Sequence, residues 1–76
     1  MNYIALPMDK NPDTTYVINK WYVSVGSKVK TGDILMSYEE DKSVVDVSSD
    51  FDGVIAEILV QEEEIVPPGT KICSIE

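Results

Sequence analysis

Few residue types in this chain can carry chemistry. The chain has no histidine, no arginine, one cysteine (Cys73) and six lysines. Without histidine it cannot build a Ser-His or Cys-His nucleophile pair or an imidazole metal site, so we expect neither catalytic residues nor a metal centre. Lys42 stands in the stretch EEDKSVVDV (39–47), between three acidic residues and a strand-like run. The amine of this lysine is the group whose placement needs an explanation.

The elements around Lys42 are expected to be short β-strands. Valine, isoleucine, tyrosine and threonine recur in bursts separated by glycine, proline, aspartate and asparagine, which is typical of strands and turns. No stretch has helical periodicity. We predict strands near 2–6, 16–24, 34–40, 43–48, 53–60 and 70–76, with shorter ones near 28–30 and 65–67.

Turn chemistry predicts that Lys42 lies at the tip of a hairpin. Asp41 and Lys42 separate the runs 34–40 and 43–48 by two residues, which is tight-hairpin spacing. The usual glycine is missing, but aspartate tolerates the left-handed backbone region better than most residues. We therefore expect Lys42 to be exposed and displayed by two paired strands.

The chain also repeats itself. A shift of 37 residues places 21–39 over 58–76, so that Val23 falls on Val60, Gly32 on Gly69 and Ser37 on Ser74. Each unit is too small to bury its own apolar face, so the two are expected to close on each other as a flattened barrel or sandwich. We expect Gly32 and Gly69 to occupy equivalent turns with positive φ.

Bulk properties narrow the class of protein. The 76 residues are expected to form one domain (1–76), and the net charge of −8 argues against nucleic acid and anionic membrane as partners. No apolar run approaches the roughly 20 residues that span a bilayer, and the N-terminus lacks the layout of a secretion signal. We expect an intracellular protein in which Cys73 is a half-buried strand residue.

Three motifs at fixed spacing closely resemble a known family. They are W-x-V-x-x-G-x-x-V-x-x-G-D-x-L (21–35), E-x-D-K (39–42) and D-G-V (52–54). This pattern resembles the lipoyl domain of 2-oxo acid dehydrogenase acyltransferases, across essentially the whole chain. The resemblance implies an all-β flattened barrel, or sandwich, of two four-stranded antiparallel sheets with quasi-two-fold symmetry.

The resemblance also implies a role for the hairpin. Lys42 would carry lipoic acid in amide linkage, and Asp41, Ser43 and Glu39 would take part in recognition by a lipoyl ligase or an octanoyl/lipoyl transferase. The implied partners are a thiamine-dependent 2-oxo acid decarboxylase, an acyltransferase core and the flavin enzyme dihydrolipoamide dehydrogenase. The implied location is the bacterial cytoplasm or the mitochondrial matrix. The domain itself would be a carrier and not a catalyst.

Two other functions and several departures from the family pattern stay open at this point. The related biotinyl domain, the carrier of biotin-dependent carboxylases, flanks its lysine with methionines, whereas Lys42 has Asp41 and Ser43. A barrel module of this fold can also serve interaction alone, without modification. The family usually has glycines where this chain has DKNPDTT (9–15), a proline at position 50 and a glycine at 63 or 64. The loop 8–15 is expected beside the hairpin, where it would influence which decarboxylase accepts the carrier.

Overall fold

Eight β-strands and the turns between them make up the protein in the computed structural model, which describes residues 1–76. The chain has no helix, and therefore none that is long and apolar enough to cross a membrane. The strands are β1 (Asn2–Ala5), β2 (Tyr16–Trp21), β3 (Lys28–Val29), β4 (Ile34–Glu40), β5 (Ser43–Ser48), β6 (Gly53–Ile58), β7 (Ile65–Val66) and β8 (Lys71–Ile75).

The strands form two four-stranded antiparallel sheets. One has the order β1-β8-β6-β3 and the other the order β5-β4-β2-β7. This confirms the predicted fold class. All eight predicted strands are present, and β4 and β5 have the predicted limits. The predicted strands 16–24 and 53–60 were too long. The chain turns after Trp21 and after Ile58, although the residues that follow, such as Val23 and Leu59, are apolar.

A quasi-two-fold relation between the sheets extends to individual backbone hydrogen bonds. Strands β2 and β6, and likewise β3 and β7, are related by the 37-residue shift. The amide of Gly26 donates to the carbonyl of Ile55 at 2.8 Å, and its equivalent Glu63 donates to Ile18 at 2.7 Å. The symmetry found in the sequence is therefore a symmetry of the main chain.

The turns follow the same relation. Gly32 has a φ of 95° and Gly69 a φ of 82°, so the expectation of positive φ at both is confirmed. Gly26 (φ 94°) matches Glu63 (φ 72°), which is one of two non-glycine residues in the left-handed region. Position 63 is one of the two positions, 63 and 64, at which a glycine was expected from the family pattern, and Glu63 has a positive φ without being glycine.

The core lies between the two sheets. The central strands β4 and β8 each bury four consecutive residues, Leu35–Tyr38 and Ile72–Ile75. The prediction that Cys73 is half-buried was wrong. Its side chain is fully buried and belongs to the core cluster. Trp21 is half-buried at the margin of the core, and its indole N–H donates to the carbonyl of Val60 at 3.0 Å.

The motif D-G-V joins the two repeats and holds the chain end in place. The Asp52 carboxylate accepts hydrogen bonds from the Thr31 amide (2.8 Å) and hydroxyl (3.1 Å). These donors lower the pKa of Asp52.

The next residue, Gly53, lies against the C-terminal strand. A Cβ at Gly53 would collide with the carbonyl oxygen of Glu76 and lie 2.8 Å from Cγ2 of Ile75. Glycine is required at position 53 because the C-terminal strand passes so close.

Candidate functional site

Lys42 lies at the tip of the hairpin formed by β4 and β5. The pairing runs through Glu39↔Val44 to Glu40↔Ser43, leaving Asp41 and Lys42 as a two-residue turn. Asp41 has a φ of 54°, in the left-handed region that aspartate tolerates better than most residues. Lys42 is exposed, and the strand register fixes the direction of its side chain.

The other residues predicted for the site lie beside Lys42 but differ in setting. Asp41 forms the turn, and Ser43 is the exposed first residue of β5. Glu39 lies on the outer face of the sheet, opposite Val44 on β5 and Val17 on β2. The hairpin thus brings Glu39, Asp41, Lys42 and Ser43 together at one end of the molecule.

This end also contains a groove that the sequence did not predict. Its volume is about 630 Å³, and it lies between the first loop and the tip of the hairpin. The lining residues are Asp9, Asn11, Asp13, Thr14, Thr15, Val17, Glu39, Glu40 and Asp41. The expectation that the loop 8–15 lies beside the hairpin is confirmed.

The loop is held by its own side chains. The Asn11 amide donates to the Asp9 carboxylate at 3.0 Å, and the Asp13 amide donates to the Asn11 side-chain oxygen at 2.9 Å. The amide of Thr14 closes the turn on the Asn11 carbonyl at 3.2 Å. The pKa of Asp9 is lowered, first by the Asn11 amide and then by the Thr14 hydroxyl. Such side-chain turns give the loop a defined shape without glycine.

A tyrosine pair connects the loop to the barrel beneath it. The Tyr16 hydroxyl donates to the carbonyl of Pro7 at 3.1 Å, and its ring lies 4.7 Å from that of Tyr38. Burial raises the pKa of Tyr16, and the charges of Glu40 and Asp9 raise it further. Tyr16 therefore remains a neutral donor that secures the start of the loop.

The electrostatic character of the groove is acidic. Five of its nine lining residues are carboxylates, namely Asp9, Asp13, Glu39, Glu40 and Asp41. They are not arranged to bind a metal, since no group of three or more Cys, Asp and Glu side chains forms a possible metal site. The groove combines negative charge with the amide and hydroxyl groups of the loop, which suits contact with a cationic protein surface.

A second groove lies away from the hairpin. Its volume is about 570 Å³, and it consists of two triplets related by the 37-residue shift: Trp21, Ser24 and Val25, and Ile58, Gln61 and Glu62. Its one carboxylate, Glu62, accepts a hydrogen bond from the Trp21 amide at 3.1 Å. The second groove therefore lies where the two repeats meet, and its lining contains neither a lysine nor a cysteine.

Comparison with known proteins agrees with this geometry. A family model described as "Biotin-requiring enzyme" (Biotin_lipoyl) matches residues 4–75. The dihydrolipoyllysine-residue acetyltransferase components of the pyruvate dehydrogenase complexes of Staphylococcus aureus and Staphylococcus epidermidis are each 34% identical over 59 residues. The match covers 78% of this chain and 14% of each relative, so the chain spans a small part of their length.

A solved structure matches the whole chain. The lipoyl domain of the 2-oxoglutarate dehydrogenase complex from Azotobacter vinelandii superposes with a TM-score of 0.83 at 28% sequence identity. The match covers 100% of this chain and 96% of that domain. The hairpin, the repeat and these matches agree, and the chain belongs to the biotin/lipoyl-attachment family as a lipoyl domain.

Proposed function

We propose that this domain carries lipoic acid on Lys42 and moves acyl groups and reducing equivalents between the active sites of a 2-oxo acid dehydrogenase complex. The observation that carries the proposal is the display of Lys42. It is exposed at the tip of a two-residue turn, between strands that keep one register over the five pairs from Met36↔Val47 to Glu40↔Ser43. The other five lysines lie outside this turn.

The tip fits an amide-linked arm. Its two residues are both exposed, so an acyl chain on Nζ of Lys42 meets no steric barrier from the turn itself. Attachment forms one C–N bond between Nζ and the carboxyl carbon of an activated lipoate. The bond from that carbon to its activating group breaks, and the amine loses a proton.

The barrel contributes position and access. When bound, lipoate supplies a disulfide that accepts two electrons and an acyl group. The hairpin holds the attachment point at one end of a molecule 33 Å long, and this tethering raises the local concentration of the arm at each active site. The partners are a thiamine-dependent 2-oxo acid decarboxylase, an acyltransferase core and dihydrolipoamide dehydrogenase.

The acidic groove supplies a surface for choosing partners. It flanks Lys42, and its loop is preformed by the bonds of Asp9 and Asn11. We assign this surface to contact with the decarboxylase. Asp41, Ser43 and Glu39 are assigned to contact with the lipoate-attaching enzyme, because they adjoin the lysine in fixed register.

A mass measurement tests the proposal and separates it from biotinylation and from an unmodified module. Purified protein is incubated with a lipoate ligase, ATP and lipoate, and in parallel with a biotin ligase, ATP and biotin. We expect one lipoyl group on the wild type, none on Lys42→Arg, and one on the control Lys71→Arg. Insertion of one glycine between Asp41 and Lys42 should also abolish transfer, because it changes the direction of the amine.

Three outcomes would contradict the proposal. A lipoyl group on Lys42→Arg would place the site elsewhere. Biotin in preference to lipoate on the wild type would make the domain a biotin carrier. The biotin ligase experiment is included because the matching family is described as "Biotin-requiring enzyme". No modification by either enzyme would favour an interaction module.

A further inference from the structure

The strand that follows Lys42 is an open edge of its sheet. Strand β5 pairs with β4 on one side and with no strand on the other. It has six residues, whereas the other three edge strands, β1, β3 and β7, have four, two and two. Five of its six residues are exposed, including Val44 at 58%.

The direction of the backbone groups along β5 follows from the hairpin. In a two-residue hairpin the closing pair, here Glu40↔Ser43, exchanges its own N–H and C=O groups. The next residue of an antiparallel strand points these groups the other way, so those of Val44 and Asp46 face away from β4. Two sets of free main-chain donors and acceptors therefore begin two residues after Lys42.

Strand β5 has no proline or bulge along its free edge that would prevent pairing. Proteins commonly block an edge strand with proline, a bulge or an inward-pointing charge. Residues 43–47 contain no proline, and the irregularity of the β4–β5 pair lies at the far end, between Ile34 and Met36. The valine-rich run SVVDVS, in the longest of the four edge strands, is suited to accept another strand.

We propose that β5 is the docking edge for an extended strand of the enzyme that attaches lipoate. Pairing along Val44 and Asp46 would set the position of Lys42 in that enzyme's active site through main-chain register, and so select it among six lysines. The inference rests on the proposed function, since it names the surface that the attaching enzyme reads.

Charge favours such a partner over a second copy of this chain. Asp46 lies on the edge strand itself, Asp41 lies in the turn that precedes it, and the protein carries a net charge of −8. Two copies would bring these charges together, whereas a strand bearing lysine or arginine would be attracted. The occupant we assign is therefore a cationic extended segment.

Proline substitution tests the docking edge. Val44→Pro removes one outward N–H, a change that edge strands tolerate. Val44→Thr keeps the N–H and the β-branched shape and serves as the matched control. With a lipoate ligase, ATP and lipoate, we expect the KM for Val44→Pro to rise roughly tenfold with kcat unchanged. Val44→Thr should stay within about twofold of the wild type. Circular dichroism checks that each variant is folded.

Hydrogen exchange on the wild type provides a test that does not depend on the variant folding. With ligase present but without ATP and lipoate, exchange at the amides of Val44 and Asp46 should slow, and exchange at Tyr3 on the β1 edge should not. Unchanged exchange at both β5 amides, or an unchanged KM for a folded Val44→Pro, would overturn the inference. Failure of the ligase to modify the wild type would instead reject the proposed function.

Discussion

Cys73 is the single thiol of a protein proposed to carry a dithiolane, and its placement keeps it unreactive. The side chain is fully buried on β8, and burial raises the pKa of the thiol from 9.0 to about 11. The thiolate is the form that attacks disulfides, so a neutral and covered thiol does not exchange with one. The sequence placed Cys73 in a strand but did not reveal complete burial, which depends on the packing of the core cluster.

We predict that the Cys73 thiol reacts with Ellman's reagent only when the protein unfolds. At pH 8 the native protein should react at least roughly a hundredfold more slowly than the protein in denaturant. The same shift predicts that the free energy of unfolding decreases as the pH rises from about 9 to about 11, because the unfolded thiol ionises before the folded one. Cys73→Ala should weaken this pH dependence. Rapid stoichiometric labelling of the native protein would contradict the prediction.

Individual residues also show where the two repeats have diverged. Ser37 and Ser74 are equivalent and both fully buried, but they differ in hydrogen bonding. The Ser37 hydroxyl is paired with the Asn19 amide at 3.1 Å, whereas the Ser74 hydroxyl has no partner. The equivalent of Asn19 is Ala56, whose methyl side chain cannot donate a hydrogen bond to the Ser74 hydroxyl. The identity of the two serines in the sequence thus conceals a difference that comes from the strand beside them.

Among the elements, the first loop and the lysine hairpin matter most for function, because they lie side by side and line one groove. The loop departs most from the family pattern and forms one wall of the acidic groove. Its shape is fixed by Asp9 and Asn11, so a partner meets a preformed surface. Lipoylation, by contrast, is assigned to the hairpin and β5.

We predict that residues 8–15 determine which decarboxylase accepts the carrier. Replacing them with the loop of another lipoyl domain should change the rate of reductive acylation by a given decarboxylase by at least roughly tenfold. The rate of lipoylation should stay the same, because the hairpin is unaltered. Acylation is measured with radiolabelled 2-oxo acid after complete lipoylation.

Charge neutralisation within the groove gives a finer test of the same surface. Asp13→Asn should lower the acylation rate, and the exposed Glu57→Gln on β6, in the other sheet, is the matched control.

The loop graft has its own contradicting outcome. Equal acylation rates for the grafted protein and the wild type, with several decarboxylases, would mean that partner choice lies elsewhere.

The elements themselves were largely predictable, and the reasons for the exceptions are local. Strands β4 and β5 have clear limits because turn residues flank them on both sides. Strand β2 ends earlier than its apolar run because the chain turns after Trp21, and the Tyr22 amide then bonds to the Leu35 carbonyl at 2.9 Å. The groove was not predictable, since it depends on side-chain bonds within the loop that residue propensities do not encode.

At the scale of the whole molecule, the quasi-symmetry relates the lysine hairpin to the two chain ends. Strands β8 and β1 are the equivalents of β4 and β5, and the pair Ile75↔Asn2 corresponds to the pair Tyr38↔Val45. Under the 37-residue shift Glu76 therefore corresponds to Glu39, and Met1 corresponds to Val44, the partner of Glu39, at the opposite end of the barrel. The sequence repeat predicted two related units, but it gave no indication that the two chain ends lie side by side on neighbouring strands.

This geometry predicts that the chain can be circularly permuted without loss of function. A permutant that joins Glu76 to Met1 through a four-residue linker and opens between Glu62 and Glu63 should fold. Residues 40–43 make the equivalent connection in the lysine hairpin, and the strands to be joined are already paired. It should take one lipoyl group on Lys42. A second permutant with the same joint, opened instead between Asp41 and Lys42, should keep the fold but take none, because both strands remain while the lysine loses its fixed direction. Circular dichroism and intact mass distinguish the two. Lipoylation of the second permutant would show that the attaching enzyme reads an accessible lysine and not a closed hairpin.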